Sequence, residues 1–268
     1  MTAAGPGPVP TASMSTNWWR APIAIWRLSR VVAHILYGLG LAYTVWDAQD
    51  DATRKRRTIA WSMRLLNLLG LRVDCQGKTH EGSRLVVSNH ISWLDIIVIN
   101  SVMPSRFVSK AEVGQWPVIG RMVTAAGTLY LVRERRRDAM RVLGLMSQAL
   151  RDGQSVAVFP EGTTGAGHEI MHFHSNLVQS AIDANAPIQP VVLSYRDAHH
   201  AVSPSAAYIG DTGLLASLWM VASAKDLRVS VQILPAQTVD HADRRALTER
   251  LHTDMSQRLA HAIRTPQR

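Results

Sequence analysis

The chain contains a single cysteine, Cys75, so neither an intrachain disulfide nor a cysteine-based zinc cluster is open to it. Cys75 lies in a short apolar stretch with Leu71 and Val73, just before Gly77, which predicts a packed thiol rather than a nucleophile. The lack of disulfides fits a reducing compartment. Charge is missing altogether from residues 1–17, which are rich in Pro, Gly, Ser, Thr and Ala. That composition predicts a disordered leader over residues 1–20, and the missing basic n-region gives no indication of secretion. Neither a Walker A loop nor a Gly-x-Gly-x-x-Gly fingerprint occurs. His168, His172 and His174 have no cysteine partners and no HExxH spacing, so neither a metal site nor a cofactor is expected.

Acidic residues are outnumbered, leaving a formal net charge of +9, which calls for an anionic partner. Nucleic acid, anionic lipid and acidic small substrates all satisfy that condition. Phenylalanine and tyrosine are scarce at three and five, yet tryptophan reaches eight, several near the N-terminus. Tryptophan beside arginine suits a membrane interface, where an amphipathic ring sits at headgroup level. A hydrophobic fraction of 47% is ordinary for a globular chain and excludes a polytopic membrane protein.

Residues 31–46 are apolar apart from His34, tyrosine and threonine. As a helix they reach about 24 Å, short of the ~30 Å hydrocarbon core. Arg27 and Arg30 precede them and Arg54-Lys55-Arg56-Arg57 follow, whereas a clean span keeps its basic residues on one side. The expectation is a helix lying on or embedded in the cytoplasmic face of the inner membrane, with a single-pass span and a buried core helix as alternatives. Ile59, Met63, Leu66 and Leu69 recur at helical spacing and predict a second amphipathic helix before Gly70. Residues 21–71 thus read as a membrane-associated helical module and residues 72–268 as the main domain.

In that domain short apolar runs alternate with helical stripes. Leu85-Val86-Val87, Phe107-Val108, residues 128–132, Val156-Ala157-Val158-Phe159, Pro190-Val191-Val192-Leu193 and residues 229–234 read as strands. Ala139, Leu143, Met146 and Leu150 form one helical stripe, and Leu247, Leu251, Met255 and Ile263 another. The fold class is α/β, with a largely parallel sheet flanked by helices and an N-terminal helical membrane-associating module.

Two segments carry chemistry. The first runs from Asn89-His90 to Asp95. An imidazole titrating near ~6.5 suits removal of a hydroxyl proton, and a carboxylate on its other nitrogen fixes the tautomer. Residues five apart on a regular helix point ~140° away from each other. The two therefore meet only if His90 precedes the helix and Asp95 lies in its first turns, with Ser92 available as N-cap. Two other readings stand beside this one: Asp95 as a helix cap with His90 on the surface, or Ser88 or Ser92 as a nucleophile without the Gly-x-Ser-x-Gly elbow. The second segment is Phe159-Pro160-Glu161-Gly162-Thr163-Thr164, a strand leaving through proline into a turn. Its backbone N–H groups and hydroxyls can hold an anion or a hydroxyl-bearing substrate, with Glu161 orienting a hydroxyl or a basic partner. Arg133 stands at a strand end where it can face a site, whereas Arg135 to Arg137 read as a solvated helix start. Lys110 and Glu112 are candidates for an ion pair bracing the loop before Trp116-Pro117.

Taken in order, four blocks resemble the glycerolipid acyltransferases, in particular the bacterial 1-acylglycerol-3-phosphate (lysophosphatidate) O-acyltransferases. They are Asn89-His90 through Asp95; Lys110-Ala111-Glu112 with Trp116-Pro117-Val118-Ile119-Gly120 and on to Arg133; Phe159 to Thr163; and Ile188-Gln189-Pro190-Val191-Val192. The resemblance implies transfer of a fatty acyl group from acyl-CoA or acyl-carrier protein to a lysolipid hydroxyl at a membrane surface. It carries His90 over as general base and Asp95 as its partner, without a covalent acyl-enzyme. Arg133, Lys110 and the turn of Glu161, Gly162 and Thr163 are implied to bind substrate. The family's usual Pro-Glu-Gly-Thr-Arg ends here in Thr163-Thr164, which resembles acyltransferases for other lysolipids, including lyso-ornithine lipid. A catalytically silent membrane-binding protein of the same fold is a further alternative. A nucleic-acid partner is not expected, because the basic runs lack a recognition motif and interleaved aromatics. The basic surplus is assigned to lipid headgroups and to the phosphates of the donor.

Overall fold

The computed structural model describes residues 18–116, 119–131, 136–240 and 242–264. Two long helices come first, α1 (Ala21–Thr44) and α2 (Asp51–Leu69). There follow β1 (Arg72–Gln76), β2 (Leu85–Ser88), α3 (Leu94–Val102), β3 (Arg106–Lys110), α4 (Ala111–Gly114), α5 (Ile119–Ala125) and β4 (Leu129–Leu131). The second half holds α6 (Arg136–Arg151), β5 (Val156–Val158), α7 (Gln179–Ala184), β6 (Ile188–Arg196), α8 (Leu214–Ser223), β7 (Arg228–Ile233) and α9 (Arg244–Arg264).

The strands form one sheet in the order β1-β7-β6-β2-β5-β3-β4. The five from β6 to β4 are parallel, whereas β7 runs antiparallel to β6, and β1 follows β7. Parallel strands covered on both faces need apolar residues on both sides, which is why β2, β5 and the start of β6 read as unbroken apolar runs. Alternation sorts their side chains. Val86, Val191, Leu193 and Tyr195 join the apolar cluster beneath α1, α2 and α3, while Leu85, Val87, Ile188 and Val192 join that of α6, α7 and α9.

The sheet is thus largely parallel and flanked by helices, as the sequence leads one to expect, with one reversed edge. β1 was not foreseen because Arg72, Asp74 and Gln76 break its apolar pattern, as an edge strand permits. Cys75, expected to be packed, is exposed on this edge. Partial desolvation still pushes its thiol above the ordinary range, so it is no activated thiolate.

The N-terminal helices pack on this domain. Asp50 caps α2 by accepting the Thr53 N–H at 2.6 Å, and Gly70 ends it in the left-handed region at φ 79°. A Cβ on Gly70 would lie 2.2 Å from Cζ of Arg27, so only glycine leaves room for that guanidinium. Arg27 Nη1 donates to the carbonyls of Ala222 (2.8 Å) and Ala224 (3.3 Å), and Arg20 Nη2 to Ala224 (3.1 Å). The C-terminal carbonyls of α8, unsatisfied within their own helix, thereby pin α1. Ala24, Val31, Gly38 and Ala42 form its buried stripe. Its other side exposes Ile25, Trp26, Val32, Leu36, Tyr37 and Tyr43. Among the described residues no helix is long and apolar enough to cross a membrane.

Candidate active site

Where β2 ends, the side chain of Asn89 takes over its pairing with β6. Its Nδ2 donates to the Leu193 carbonyl (3.0 Å) and its Oδ1 accepts the Leu193 N–H (2.8 Å). The backbone is thus released from the sheet at His90 without leaving a buried β6 group unpaired. Two loops hold it there. The His90 N–H donates to Glu161 Oε1 (2.7 Å), and its carbonyl accepts the Gly165 N–H (2.8 Å). From the other side, the Tyr208 N–H donates to the Ile91 carbonyl (3.0 Å).

α3 begins one turn later and brings Asp95 back under the histidine. Its Oδ2 accepts His90 Nδ1 (2.8 Å), the Ile91 N–H (2.7 Å) and the Ser92 N–H (2.8 Å). Its Oδ1 accepts the Tyr195 hydroxyl at 2.7 Å. A fully buried carboxylate needs such a set of donors in place of the water it has lost. Ser92 is not the N-cap expected from the sequence: Trp93 occupies that position with no side-chain cap, and the Ser92 hydroxyl is buried without a partner among the described residues. The acidic side chain inside the first turn reaches back to the free N–H groups instead. Ser88 is equally buried, its hydroxyl turned to the Asn89 carbonyl, so neither serine is presented as a nucleophile.

The His90 ring stacks on Phe159, with centroids 4.0 Å apart and planes 9° from parallel, and keeps 19% exposure. With the Nδ1 proton directed at Asp95, Nε2 carries the lone pair, and among the described residues it has no hydrogen-bond partner. An imidazole so oriented can act as a general base.

Both oxygens of Glu161 are engaged by main chain, Oε1 by His90 and Oε2 by the Met171 N–H at 2.8 Å. Burial pushes its carboxyl above the ordinary value, against the two amides, which act the other way. Gly162 turns the chain in the left-handed region at φ 69°, Thr163 is exposed, and the Thr164 hydroxyl donates to the Tyr208 carbonyl. Lys110 closes β3, but its side chain lies outside the described residues, as does Arg133 entirely. Among the described residues no three His, Cys, Asp or Glu converge as a metal site.

Tyr195 was missed in the sequence, although a tyrosine in a buried strand needs a hydroxyl partner and so signals a buried acceptor. Burial and the neighbouring Asp95 push its phenol well above the ordinary value, so it remains a donor. Tyr195→Phe leaves Oδ1 of Asp95 with no donor, a loss of about 1–3 kcal/mol. The expected outcome in steady-state assays is a roughly tenfold lower kcat with the acceptor KM unchanged.

Residues 72–194 match the family model described as Acyltransferase. The chain is 37% identical over 208 residues to the 1-acyl-sn-glycerol-3-phosphate acyltransferase of Neisseria gonorrhoeae, covering 76% of this chain and 81% of the relative. It is 34% identical over 226 residues to the lyso-ornithine lipid O-acyltransferase of Pseudomonas aeruginosa, covering 81% and 87%. The chain belongs to the acyltransferase family. Its fold is also that of the crystal structure of the 1-acyl-sn-glycerophosphate acyltransferase from Thermotoga maritima, with a TM-score of 0.73 at 17% identity over 94% of this chain and 99% of the other. His90, between β2 and α3, and Asp95, in the first turn of α3, thus stand within the matched segment of an acyltransferase.

Proposed function

We propose that this acyltransferase moves a fatty acyl group from an acyl thioester, acyl-CoA or acyl-carrier protein, to the free hydroxyl of lysophosphatidate, giving phosphatidate. The observation that carries this reading is a histidine whose Nδ1 is bound to a buried carboxylate and whose Nε2 has no partner among the described residues. In the reaction, Nε2 takes the acceptor's hydroxyl proton as its oxygen attacks the thioester carbonyl carbon. The tetrahedral intermediate collapses, the C–S bond breaks, and the imidazolium returns the proton to the departing thiolate. Asp95 holds the ring and stabilises its transient charge, so a single base serves both half-steps without an acyl-enzyme.

We assign Arg133, Lys110 and the turn of Gly162 and Thr163 to the polar head of the acceptor. Glu161, whose oxygens both face backbone amides, is read as the residue that holds the loop on His90. A second acceptor, lyso-ornithine lipid, is favoured by one observation. Where the family pattern has a basic residue, Thr164 is half-buried with its hydroxyl spent on the Tyr208 carbonyl. The test is transfer from a labelled acyl thioester to a panel of lysolipids. Preference for lysophosphatidate supports the first reading, transfer only to lyso-ornithine lipid the second, and no transfer at all a silent protein of this fold.

The proposed place of action is the cytoplasmic face of the inner membrane, with residues 21–71 as the associating module and 72–268 as the catalytic domain. The exposed apolar side of α1 supports it, since Trp26 carries Arg30 over its ring at 4.2 Å and Tyr43 carries Arg121 at 5.2 Å. Deleting α1 would strip cover from α2 and α8, so surface substitution is the cleaner test. Ile25→Ser with Trp26→Ser and Leu36→Ser is expected to release the protein from sedimenting vesicles while its Tm stays within a few degrees of the parent.

A further inference from the structure

Between α1 and α2 lies an open groove of about 660 Å³, on a part of the molecule that shares no lining residue with the His90 site. Arg30, Arg57 and Arg64 line it together with His34, Tyr37 and Trp61. Its remaining lining residues are alanines and leucines, with no carboxylate among them. None of the three arginines forms an ion pair among the described residues, and Arg57 Nη1 is buried with no hydrogen-bond acceptor. A buried guanidinium N–H without an acceptor is costly unless something else supplies one.

The groove is built rather than incidental. His34 and Trp61 stack with centroids 5.1 Å apart, and His34 Nε2 lies 3.0 Å from the Trp61 carbonyl, tying the helices together. Gly38 makes this possible, since a Cβ there would lie 2.4 Å from Trp61 Nε1. The stacked rings and the arginines line the same groove.

We infer that this groove binds the phosphate headgroup of an anionic membrane phospholipid. The guanidinium groups match phosphate oxygens in charge and geometry. The choice of a lipid over a soluble anion rests on continuity: Tyr37 belongs both to the groove and to the exposed apolar side of α1, beside Leu36. A headgroup held by the arginines therefore has an apolar surface next to it for its acyl chains. The inference rests on the membrane-surface reading above and makes it specific, turning diffuse attraction into one headgroup site that sets how the enzyme lies on the bilayer.

The experiment compares sedimentation of the full chain with phosphatidylcholine vesicles and with vesicles that also contain phosphatidylglycerol. The expected result is that Arg57→Ala with Arg64→Ala removes about thirtyfold of the enhancement due to phosphatidylglycerol, at ~1 kcal/mol per arginine. Binding to phosphatidylcholine and acyl transfer in detergent micelles should stay as in the parent. Lys55→Ala with Arg56→Ala removes equal charge from exposed positions of α2 and should cost only a few-fold. Ala33→Trp fills the groove without changing its charge, and should also abolish the enhancement, which covers the case in which the double alanine variant folds poorly. Equal losses in the two charge pairs, or an undiminished enhancement in Ala33→Trp, would overturn the site. So would complete displacement by inorganic phosphate at matched ionic strength, which would make it a free-anion site. Failure of the parent to bind any vesicle is a different result, and rejects the membrane reading itself.

Discussion

His90→Ala is expected to abolish acyl transfer, lowering kcat by about 10³-fold or more, while leaving the fold intact. The size of the effect follows from Nε2 being the one unpartnered basic atom of the dyad, among the described residues. The small structural cost follows from what remains around Asp95. Once the ring is removed, the carboxylate still accepts the amides of Ile91 and Ser92 and the hydroxyl of Tyr195. Stability should fall by about 1–2 kcal/mol, chiefly the stacking on Phe159 and one hydrogen bond. Rates of thioester consumption beside thermal melts check both halves, and retained turnover would reject the mechanism.

Glu161→Ala should be the more damaging change to the fold. It leaves the N–H groups of His90 and Met171 without acceptors in a buried loop, at about 1–3 kcal/mol each. Activity should fall about a hundredfold as well, because the base then stands on an unanchored backbone and a displacement of about 1 Å costs that much. Both losses are read by denaturant melts and by kcat; a variant that is active but merely less stable would show that Gly165 and Tyr208 suffice to hold His90.

The charge of Glu161 makes a separate test. Its folded-state value is raised above the ordinary 4.5 by burial, so the stability tied to it is complete below that value and is lost as pH rises through the higher folded one. Glu161→Gln removes the titration and keeps one acceptor. The stability difference between parent and Gln variant should therefore move in the parent's favour as pH falls through this window.

Much of the architecture was readable along the chain because the determinants are local. Buried parallel strands such as β2 and β5 are unbroken apolar runs, and α6 and α9 show helical periodicity. Edge strand β1 was not readable, since exposure relaxes the pattern that identifies a strand, and the same exposure explains the misjudged Cys75. α8 is apolar almost all round, so no stripe marks it along the chain, and its last carbonyls are capped by Arg20 and Arg27, about 200 positions away.

What the chain alone makes legible is the candidate base and its partner: a histidine and an aspartate five residues apart at a strand-to-helix break, with a turn of Glu161 and Gly162 further on. Short-range spacing carries that information, because a strand end and a first helical turn leave few ways for the two side chains to meet. Which groups support them is settled by long-range folding. Tyr195 reaches Asp95 from 100 positions away, and Glu161 reaches the His90 amide from 71. Those partnerships exist because β6 and β5 flank β2, and strand order in a sheet is settled by long-range packing, which no local pattern records.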